Sequence, residues 1–212
     1  MVDVLPRMAP SVAGSPPMNI LTPLTLLVTG SILFALGLSH RLPAIERFDR
    51  RLFLALHRPL RRALPFFRVL WVLGTLEGIV AAAGLVAVLA RWQEGAAILL
   101  AYGVIVLLER MLKGRINRPR PFQAMPQEAQ MGQPRPPSDP SFPSGDALRV
   151  WLLAFTVARL LPPTWGWALV GLATLVSFGR IALGVHYPLD VLSGTGLGMV
   201  AAALAVWLQG LL

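Results

Sequence analysis

Three short polar segments interrupt an otherwise apolar chain, and their residue types suit the chemistry of a phosphate group. They are KGRINRPRP (113–121), PSGD (143–146) and GRIALGVHYPLD (179–190). The first and third segments supply Lys113, which is the only lysine of the chain, together with Arg120 and Arg180. Arginine presents a planar fork to two phosphate oxygens, and lysine presents a compact positive charge. These cations predict an anion site, although positive charge flanking membrane spans is the alternative explanation.

The second segment predicts the start of a helix. Backbone N–H groups at a helix N-terminus bind anions, Gly145 lets a phosphate approach the backbone closely, and the Ser144 hydroxyl can donate a hydrogen bond. The alternative is an ordinary cap, in which Ser144 caps the helix and Asp146 interacts favourably with the helix dipole. Taken alone, PSGD is more often such a cap, so its interpretation depends on the other two segments.

The third segment pairs a histidine with a carboxylate. Asp190 follows His186 by four residues across a predicted helix start, where it can accept the Nδ1 proton and leave Nε2 facing outward. A histidine held in this way can act as a nucleophile on phosphorus. His186 alone would suggest an ordinary interfacial histidine, but Asp190 and the nearby Arg180 favour catalysis.

The composition indicates that a membrane protein positions these segments. Hydrophobic residues make up 55% of the 212 residues, charged residues make up 14%, and the mean hydropathy is +0.65. The chain has no cysteine, which excludes disulfides, thiolate catalysis and cysteine-based metal sites, and its few histidines are scattered, so we expect no metal cofactor. The formal net charge of +9 indicates membrane lipids and an anionic substrate as partners, and no nucleic acid.

The apolar runs predict an all-α fold, a bundle of six transmembrane helices. Each run is long enough to cross a bilayer or can be extended by polar residues that reach the interface. We expect spans over residues 20–38, 69–90, 95–108, 144–161, 165–181 and 188–212, within one membrane domain (19–212) that follows a disordered tail (1–18). Glu77, inside the second span, is expected to face an arginine near the site, because a carboxylate within a membrane is costly.

Two segments between the predicted spans differ from them in composition. Residues 39–68 mix arginines with apolar residues at helical spacing, namely Ile45, Phe48, Leu52 and Leu56. This pattern predicts an amphipathic helix at the membrane interface, with a solvated linker as the alternative. Residues 113–143 contain eight prolines and predict a rigid, extended loop without a regular helix.

Six spans would bring the three polar segments to one side of the membrane. The loops on that side hold 15 of the 19 Lys and Arg residues, with eight in 39–68, six in 109–142, and Arg180. Short loops rich in positive charge favour the cytoplasm. We therefore expect an integral protein of a bacterial inner membrane whose site lies on the cytoplasmic face.

At these three segments the chain resembles the type 2 phosphatidic acid phosphatase superfamily, which shares its site with vanadium haloperoxidases. The family pattern is Lys-x6-Arg-Pro, then Pro-Ser-Gly-His, then Ser-Arg-x5-His-x3-Asp. The resemblance implies a metal-independent six-helix membrane enzyme in which His186 becomes phosphorylated and Asp190 orients it. It also implies a set of groups that hold the phosphoryl oxygens, namely Lys113, Arg120, Arg180, Ser144 and the Gly145 amide.

The chain departs from the family pattern at two positions, where Asp146 replaces a histidine and Gly179 replaces a serine. The family histidine protonates the leaving oxygen. Asp146 could be a working acid if a phosphate raises its pKa, the enzyme could be slow and suited to good leaving groups, or the site could bind without turnover. A diphosphate substrate would tolerate the change best. His40 and His57 lie on the same predicted face as possible substitutes.

The resemblance therefore implies a phosphoric monoester or diphosphate hydrolase acting on lipid phosphates or isoprenoid diphosphates. A phosphotransferase is the first alternative, in which a lipid or sugar hydroxyl replaces water at the phosphohistidine. A phospholipid-binding protein without turnover is the second alternative, and Asp146 and Gly179 motivate it.

Overall fold

The computed structural model describes residues 22–212, and within this range all regular secondary structure is helical. The predicted tail over 1–18 lies outside the described residues. Short 3-10 turns connect several of the helices at 39–41, 61–63 and 72–74. The α-helices are α1 (Pro23–Leu38), α2 (Pro43–Leu60), α3 (Leu64–Trp71), α4 (Leu76–Leu89), α5 (Trp92–Ile116), α6 (Pro121–Ala124), α7 (Gly145–Ala158), α8 (Pro163–Ala182) and α9 (Pro188–Gln209).

The predicted number of six spans is not confirmed. Among the described residues, four segments are long and apolar enough to cross a membrane, namely Pro23–Arg41, Trp92–Ala124, Pro163–Ala182 and Pro188–Gln209. A fifth is possible if Pro43–Gly74 and Leu76–Leu89, which meet at a 59° bend, form one broken span. Helix α7, predicted as a span, has 14 residues, so it rises about 21 Å and is shorter than the ~30 Å hydrocarbon core.

The predicted span over 69–90 is interrupted near its start. Helix α3 ends at Trp71, and Thr75 caps α4 by accepting a hydrogen bond from the Gly78 amide at 3.1 Å. Glu77 therefore lies in the first turn of α4, beside the interruption and not in the middle of a continuous helix, and 72% of its side chain is exposed. Its partner is an arginine, as predicted, because Arg135 lies 3.6 Å away.

Helix α9 lies at the centre of the bundle and packs against α1, α5 and α7. Glycines at these contacts let the backbones approach closely, as small residues do between membrane helices. A Cβ at Gly194 would collide with the Ser144 carbonyl oxygen, and one at Gly198 would lie 2.6 Å from the Leu148 carbonyl oxygen. The N-terminal half of α7, which carries the PSGD segment, is thereby fixed against α9.

Residues 43–60 form a helix, as the spacing predicts, and a different face from the predicted membrane-facing one packs against the protein. The buried side chains are Asp49, Phe53 and His57, whereas Phe48 is 63% exposed. Polar partners explain the difference, because Asp49 binds an arginine of the loop and His57 Nδ1 lies 2.9 Å from the Ile181 carbonyl oxygen. The position of α2 at a membrane interface stays a prediction.

The predicted loop over 113–143 is partly helical. Helix α5 continues through Lys113 to Ile116 and ends at Asn117, whose φ of 46° is left-handed. Helix α5 therefore extends beyond the predicted third span (95–108). A buried ion pair between Glu109 and Lys113 (3.2 Å) stabilises the helix past the end of its apolar residues. The short helix α6 also begins with proline, which the first helical position tolerates.

Candidate active site

The predicted cations and the histidine meet in one cavity of about 550 Å³. The lining includes the C-terminal part of α5, the start of α7 and the C-terminal end of α8. Five of the eight predicted site residues line it, namely Lys113, Arg120, Asp146, Arg180 and His186. The other three, Ser144, Gly145 and Asp190, are buried and do not line the cavity.

A tight turn after α8 aims His186 into the cavity. Gly184 adopts a φ of 73°, which glycine tolerates far better than other residues, and Pro188 starts α9 two residues after the histidine. His186 is 2% exposed, and its Nε2 lies 3.2 Å from Nη1 of Arg120. Arg120 can only donate, so Nε2 carries the lone pair and the ring proton is on Nδ1.

The protonation state of His186 follows from its surroundings. Burial lowers the pKa of this imidazole to about 3, the positive charge of Arg120 adds to the effect, and a smaller opposing contribution comes from Asp190. The ring is therefore neutral at physiological pH. A neutral imidazole with a free lone pair on Nε2 has the form that a nucleophile requires.

Asp190 is held behind His186, but other groups bind it more closely. Its carboxylate accepts hydrogen bonds from Nη1 of Arg118 (2.6 Å), from the Tyr187 amide (2.8 Å) and from the Ser141 hydroxyl. The distance from its Oδ2 to Nδ1 of His186 is 3.8 Å, which is an ion-pair distance and too long for a hydrogen bond. Nδ1 has no hydrogen-bond partner among the described residues. The orienting role of Asp190 stays a prediction.

Arg118 is a central residue that sequence analysis did not identify. It is 6% exposed and bridges the buried carboxylates of Asp190 and Asp49, the latter at 2.7 Å. Its guanidinium also lies 4.0 Å from the centre of the Tyr187 ring. Removing one partner from such a buried network costs about 3–5 kcal/mol, because unpaired charges remain. Arg118 therefore ties α2 to the start of α9 behind the histidine.

Lys113 and Arg120 both bind Asp139, another residue that sequence analysis did not identify. Lys113 pairs with Oδ2 of Asp139, and Nη2 of Arg120 donates to Oδ1 at 2.8 Å. Partial burial acts to raise the pKa of Asp139, but Lys113 and Arg120 outweigh it and hold that pKa well below its usual range. An ionised carboxylate, half exposed on the loop, thus occupies two cations that were predicted to bind phosphate.

Arg180 is only 2% exposed, and part of its guanidinium has no partner. Nη2 donates a hydrogen bond to the side chain of Gln133 and forms an ion pair with Oδ2 of Asp146 at 2.7 Å. Nε and Nη1 are buried and have no hydrogen-bond partner among residues 22–212. Since a buried guanidinium requires acceptors, these two nitrogens indicate a place for an anion.

Asp146 is bound by two guanidinium groups, those of Arg180 and Arg149. Arg149 is additionally fixed by the Gly74 carbonyl oxygen (2.6 Å) and the Tyr102 hydroxyl (3.0 Å). A Cβ at Gly74 would lie 2.8 Å from that of Asp146, so the turn before α4 packs directly on this pair. Sequence analysis did not identify Arg149, because it belongs to none of the three segments.

Ser144 and Gly145 have the geometry of a helix cap. The Ser144 side chain accepts a hydrogen bond from the Ala147 amide at 3.4 Å, and the Ser144 amide donates to the Asp190 carbonyl oxygen at 3.0 Å. A Cβ at Gly145 would collide with the carboxylate of Glu109. The Glu109 side chain thus packs directly on the Gly145 backbone, and the contact of Ser144 and Gly145 with phosphate stays a prediction.

The two histidines considered as substitutes for an acid lie in other environments. His40 is buried against the Phe142 ring, with 4.5 Å between ring centres, and its Nδ1 lies 2.9 Å from the Gly37 carbonyl oxygen. His57 stacks on Phe53 at 4.9 Å. Neither histidine lines the cavity.

A helical membrane fold with a buried, cation-rich cavity around a neutral histidine defines a membrane protein that handles an anionic group. The chain belongs to the PAP2 superfamily, whose family model matches residues 94–211. The match includes all three polar segments, so the resemblance carried by those segments is confirmed.

Two curated relatives match about half of the chain. An undecaprenyl-diphosphatase of Sulfolobus acidocaldarius is 34% identical over 116 residues, which are 54% of this chain and 55% of that protein. The bacitracin transport permease protein BcrC of Bacillus licheniformis is 30% identical over 115 residues, 52% of this chain and 55% of that protein. The matched part thus spans about half the length of these relatives.

Two solved structures share the fold. LpxE of Aquifex aeolicus has a TM-score of 0.66 and 25% identity, and the likeness covers 74% of this chain and 93% of that one. The phosphatidylglycerolphosphate phosphatase of Bacillus subtilis has a TM-score of 0.63 and 24% identity, covering 90% of this chain and 95% of that one. The second likeness shows the fold alone.

Proposed function

We propose that this protein is a membrane hydrolase of lipid phosphates or isoprenoid diphosphates that works through a phosphohistidine at His186, without a metal cofactor. The observation that carries the proposal is the pair of buried nitrogens of Arg180 without partners, in the cavity that also holds His186, Lys113 and Arg120. A phosphoryl group would supply the acceptors that Arg180 lacks and would lie against a neutral imidazole. The relative named undecaprenyl-diphosphatase supports the same chemistry.

In the first step, Nε2 of His186 attacks phosphorus and the bond to the leaving oxygen breaks, with its electron pair remaining on that oxygen. Arg120, Lys113 and Arg180 stabilise the negative charge on the phosphoryl oxygens, as fixed cations do in phosphoryl transfer. In the second step, water attacks the phosphohistidine, the P–N bond breaks, and its electron pair returns to Nε2. Of the two protons of the water, one stays on the new P–OH group and the other passes to a phosphate oxygen or to solvent, so inorganic phosphate is released.

An apolar groove of about 230 Å³ supports a substrate with a lipid chain. Residues of α4, α7 and α8 line the groove, and all of them are apolar, from Leu73 at one end to Val157 and Leu169 further along. The groove begins beside the cavity, because Leu73 and Val150 are chain neighbours of Gly74 and Arg149. A phosphate in the cavity could therefore carry its apolar chain along the groove.

Phosphate release from farnesyl diphosphate and from phosphatidic acid, measured with the purified full chain in detergent, tests the proposal. We expect release with the wild-type protein and its loss in His186→Ala, because that variant lacks the nucleophile. His40→Ala is the matched control, since His40 is also a buried histidine but lies outside the cavity. Undiminished release by a folded His186→Ala variant would refute the mechanism, and a phosphorylated acceptor in place of free phosphate would identify a transferase.

A further inference from the structure

Asp146 stands where the family pattern has its proton donor, but its surroundings favour the ionised carboxylate. One oxygen accepts a hydrogen bond from Nη2 of Arg149, and the other forms an ion pair with Nη2 of Arg180 at 2.7 Å. Only 13% of the Asp146 side chain is exposed, so both ion pairs are shielded from solvent. A carboxylate between two guanidinium groups retains its negative charge and has no proton to donate. The leaving oxygen therefore needs stabilisation from another group.

Arg149 is a cation of the cavity that the mechanism above does not use. Its side chain is 14% exposed and lines the cavity together with His186. Three of its N–H groups are engaged, with Asp146, the Gly74 carbonyl oxygen and the Tyr102 hydroxyl. A guanidinium has five N–H donors, so one on each terminal nitrogen remains for another acceptor. These three contacts, made with its own helix α7, with α5 and with the turn before α4, fix a charged donor group in place.

We propose that Arg149 binds the leaving group and stabilises its negative charge, replacing protonation by an acid, with Asp146 as the positioning residue that holds Arg149. This inference rests on the proposed function. As the P–O bond to the leaving oxygen breaks, the electron pair stays on that oxygen and is stabilised by the guanidinium, and no proton moves. Arginine suits this role because it remains charged at all accessible pH values and offers two parallel donors to phosphate oxygens.

The inference has a consequence for the class of substrate. When a diphosphate is cleaved at its terminal phosphorus, the leaving group is a phosphate monoester, which is stable as an anion. When an alkyl phosphate is cleaved, the leaving group is an alkoxide, a strong base that requires a proton. A site with an arginine in place of an acid therefore selects diphosphates and other substrates whose leaving groups are stable anions.

Three substrates with different leaving groups test this selectivity in the purified full chain. They are farnesyl diphosphate, p-nitrophenyl phosphate and lysophosphatidic acid. For the wild-type protein we expect kcat on lysophosphatidic acid to be at least about 100-fold below kcat on farnesyl diphosphate, because general acid catalysis contributes about that much. Equal kcat values on these two substrates would overturn the inference, since alkyl esters would then have a proton donor.

The Arg149→Gln variant tests the residue itself. We expect kcat on farnesyl diphosphate to fall about 100-fold, as on removal of one fixed charge-stabilising donor, and kcat on p-nitrophenyl phosphate to fall less than about tenfold, because its leaving group is already a delocalised anion. Equal losses on both substrates would indicate a structural role only and would overturn the assignment. Arg159→Gln, at the other end of α7 and outside the cavity, is the matched control.

Asp146→Asn distinguishes the positioning role from acid catalysis. A positioning residue predicts that Asp146→Asn repeats the pattern of Arg149→Gln, with a larger loss of kcat on farnesyl diphosphate than on p-nitrophenyl phosphate and no larger one on lysophosphatidic acid, whereas a general acid predicts the largest loss on lysophosphatidic acid. The second pattern would overturn the inference. If Arg149→Gln fails to fold, the inference is still tested by the wild-type kcat values on the three substrates and by Asp146→Asn. The proposed function fails separately, if the wild-type protein releases no phosphate or His186→Ala retains full activity.

Discussion

At the scale of single residues, the cavity is neutralised by its own carboxylates. Asp139 pairs with Lys113 and Arg120, and Asp146 pairs with Arg149 and Arg180. Of these two, Asp139 is the more easily displaced, because it is half exposed and lies on the loop between α6 and α7. A phosphate that binds Lys113 and Arg120 must therefore compete with the Asp139 carboxylate.

Neutralising Asp139 should strengthen the binding of phosphate. We expect Asp139→Asn to lower the inhibition constant of inorganic phosphate by at least about threefold, because a competing negative charge is removed while the side-chain shape is kept. The measurement is the inhibition by inorganic phosphate of hydrolysis of a lipid substrate, for the wild-type protein and for Asp139→Asn. Glu128→Gln is the control, because Glu128 lies outside the cavity. An increased inhibition constant would mean that Asp139 organises the two cations instead of competing for them.

The histidine nucleophile should remain neutral over the physiological range. Its pKa is lowered to about 3 by burial and by Arg120, so protonation begins only well below the ordinary histidine value of about 6.5. In ¹³C-histidine NMR spectra, the His186 ring signal, assigned by its loss in His186→Gln, should not shift between about pH 5 and pH 8. A titration midpoint within that range would contradict the geometry around the ring.

Sequence analysis found the residues of the motifs but not their partners. His186, Arg120, Lys113 and Arg180 were identified because each belongs to a short segment of recognisable chemistry. Their partners come from distant parts of the chain, as Arg149 meets Gly74 and Arg118 meets Asp49 across about 70 residues. The ionisation of Asp146 likewise depends on Arg149. The side chain of Arg149 reaches the cavity because of the way α7 packs, which the sequence motifs do not contain.

At the scale of elements, α4, α7 and α8 connect the cavity to the apolar groove. Helix α7 begins at the cavity with the PSGD segment and supplies Val150, Leu153 and Ala154 to the groove floor. Helix α8 brings Arg180 to the cavity and Val176 to the groove, one turn earlier. The same helices therefore line both the charged cavity and the apolar groove that the proposed lipid phosphate would occupy.

Filling the groove should impair long-chain substrates selectively. Ala82 of α4 lines the groove, and Ala81 is an exposed neighbour that does not. We expect Ala82→Trp to raise KM for farnesyl diphosphate at least about fivefold, because the apolar contacts are blocked, and to leave KM for p-nitrophenyl phosphate unchanged. Ala81→Trp is the matched control. Equal effects of the two variants on farnesyl diphosphate would exclude the groove as the chain site.

The helices were largely predictable from apolar runs, but their ends were not. The interruption near Gly74 is not predicted by composition, because the residues on both sides of it are apolar. The signal for a new helix start is Thr75, a typical helix-capping residue, followed by Glu77 in the first turn. Helix α5 extends beyond its apolar part because Lys113 and Glu109 neutralise each other within it. Helix ends depend on such polar contacts, which hydrophobic patterns do not contain.

At the scale of the whole molecule, the positive charge is concentrated near the cavity. Residues 39–68 contain eight arginines, and all of them except Arg50 and Arg61 are exposed. By the positive-inside tendency, this asymmetry predicts that the cavity faces the cytoplasm.

Cysteine labelling in cells tests this orientation, because the chain contains no natural cysteine. Arg58 is exposed on α2, whereas His57 beside it is buried and would not label. We expect Arg58→Cys to be protected from a membrane-impermeant maleimide in intact cells and labelled after permeabilisation. Labelling in intact cells would place the cavity on the outer face, and a cysteine at Trp165, exposed at the opposite end of α8, should show the reverse pattern.

The central claim is that His186 carries the phosphoryl group during turnover, and trapping this intermediate tests it most directly. The full chain would be mixed with farnesyl diphosphate labelled with ³²P at its terminal phosphate, quenched in alkali, and digested to locate the label. The account predicts an acid-labile, base-stable phosphohistidine at His186 in the wild-type protein and neither label nor phosphate release in His186→Gln. Continued phosphate release by a folded His186→Gln variant, without any labelled histidine, would contradict it.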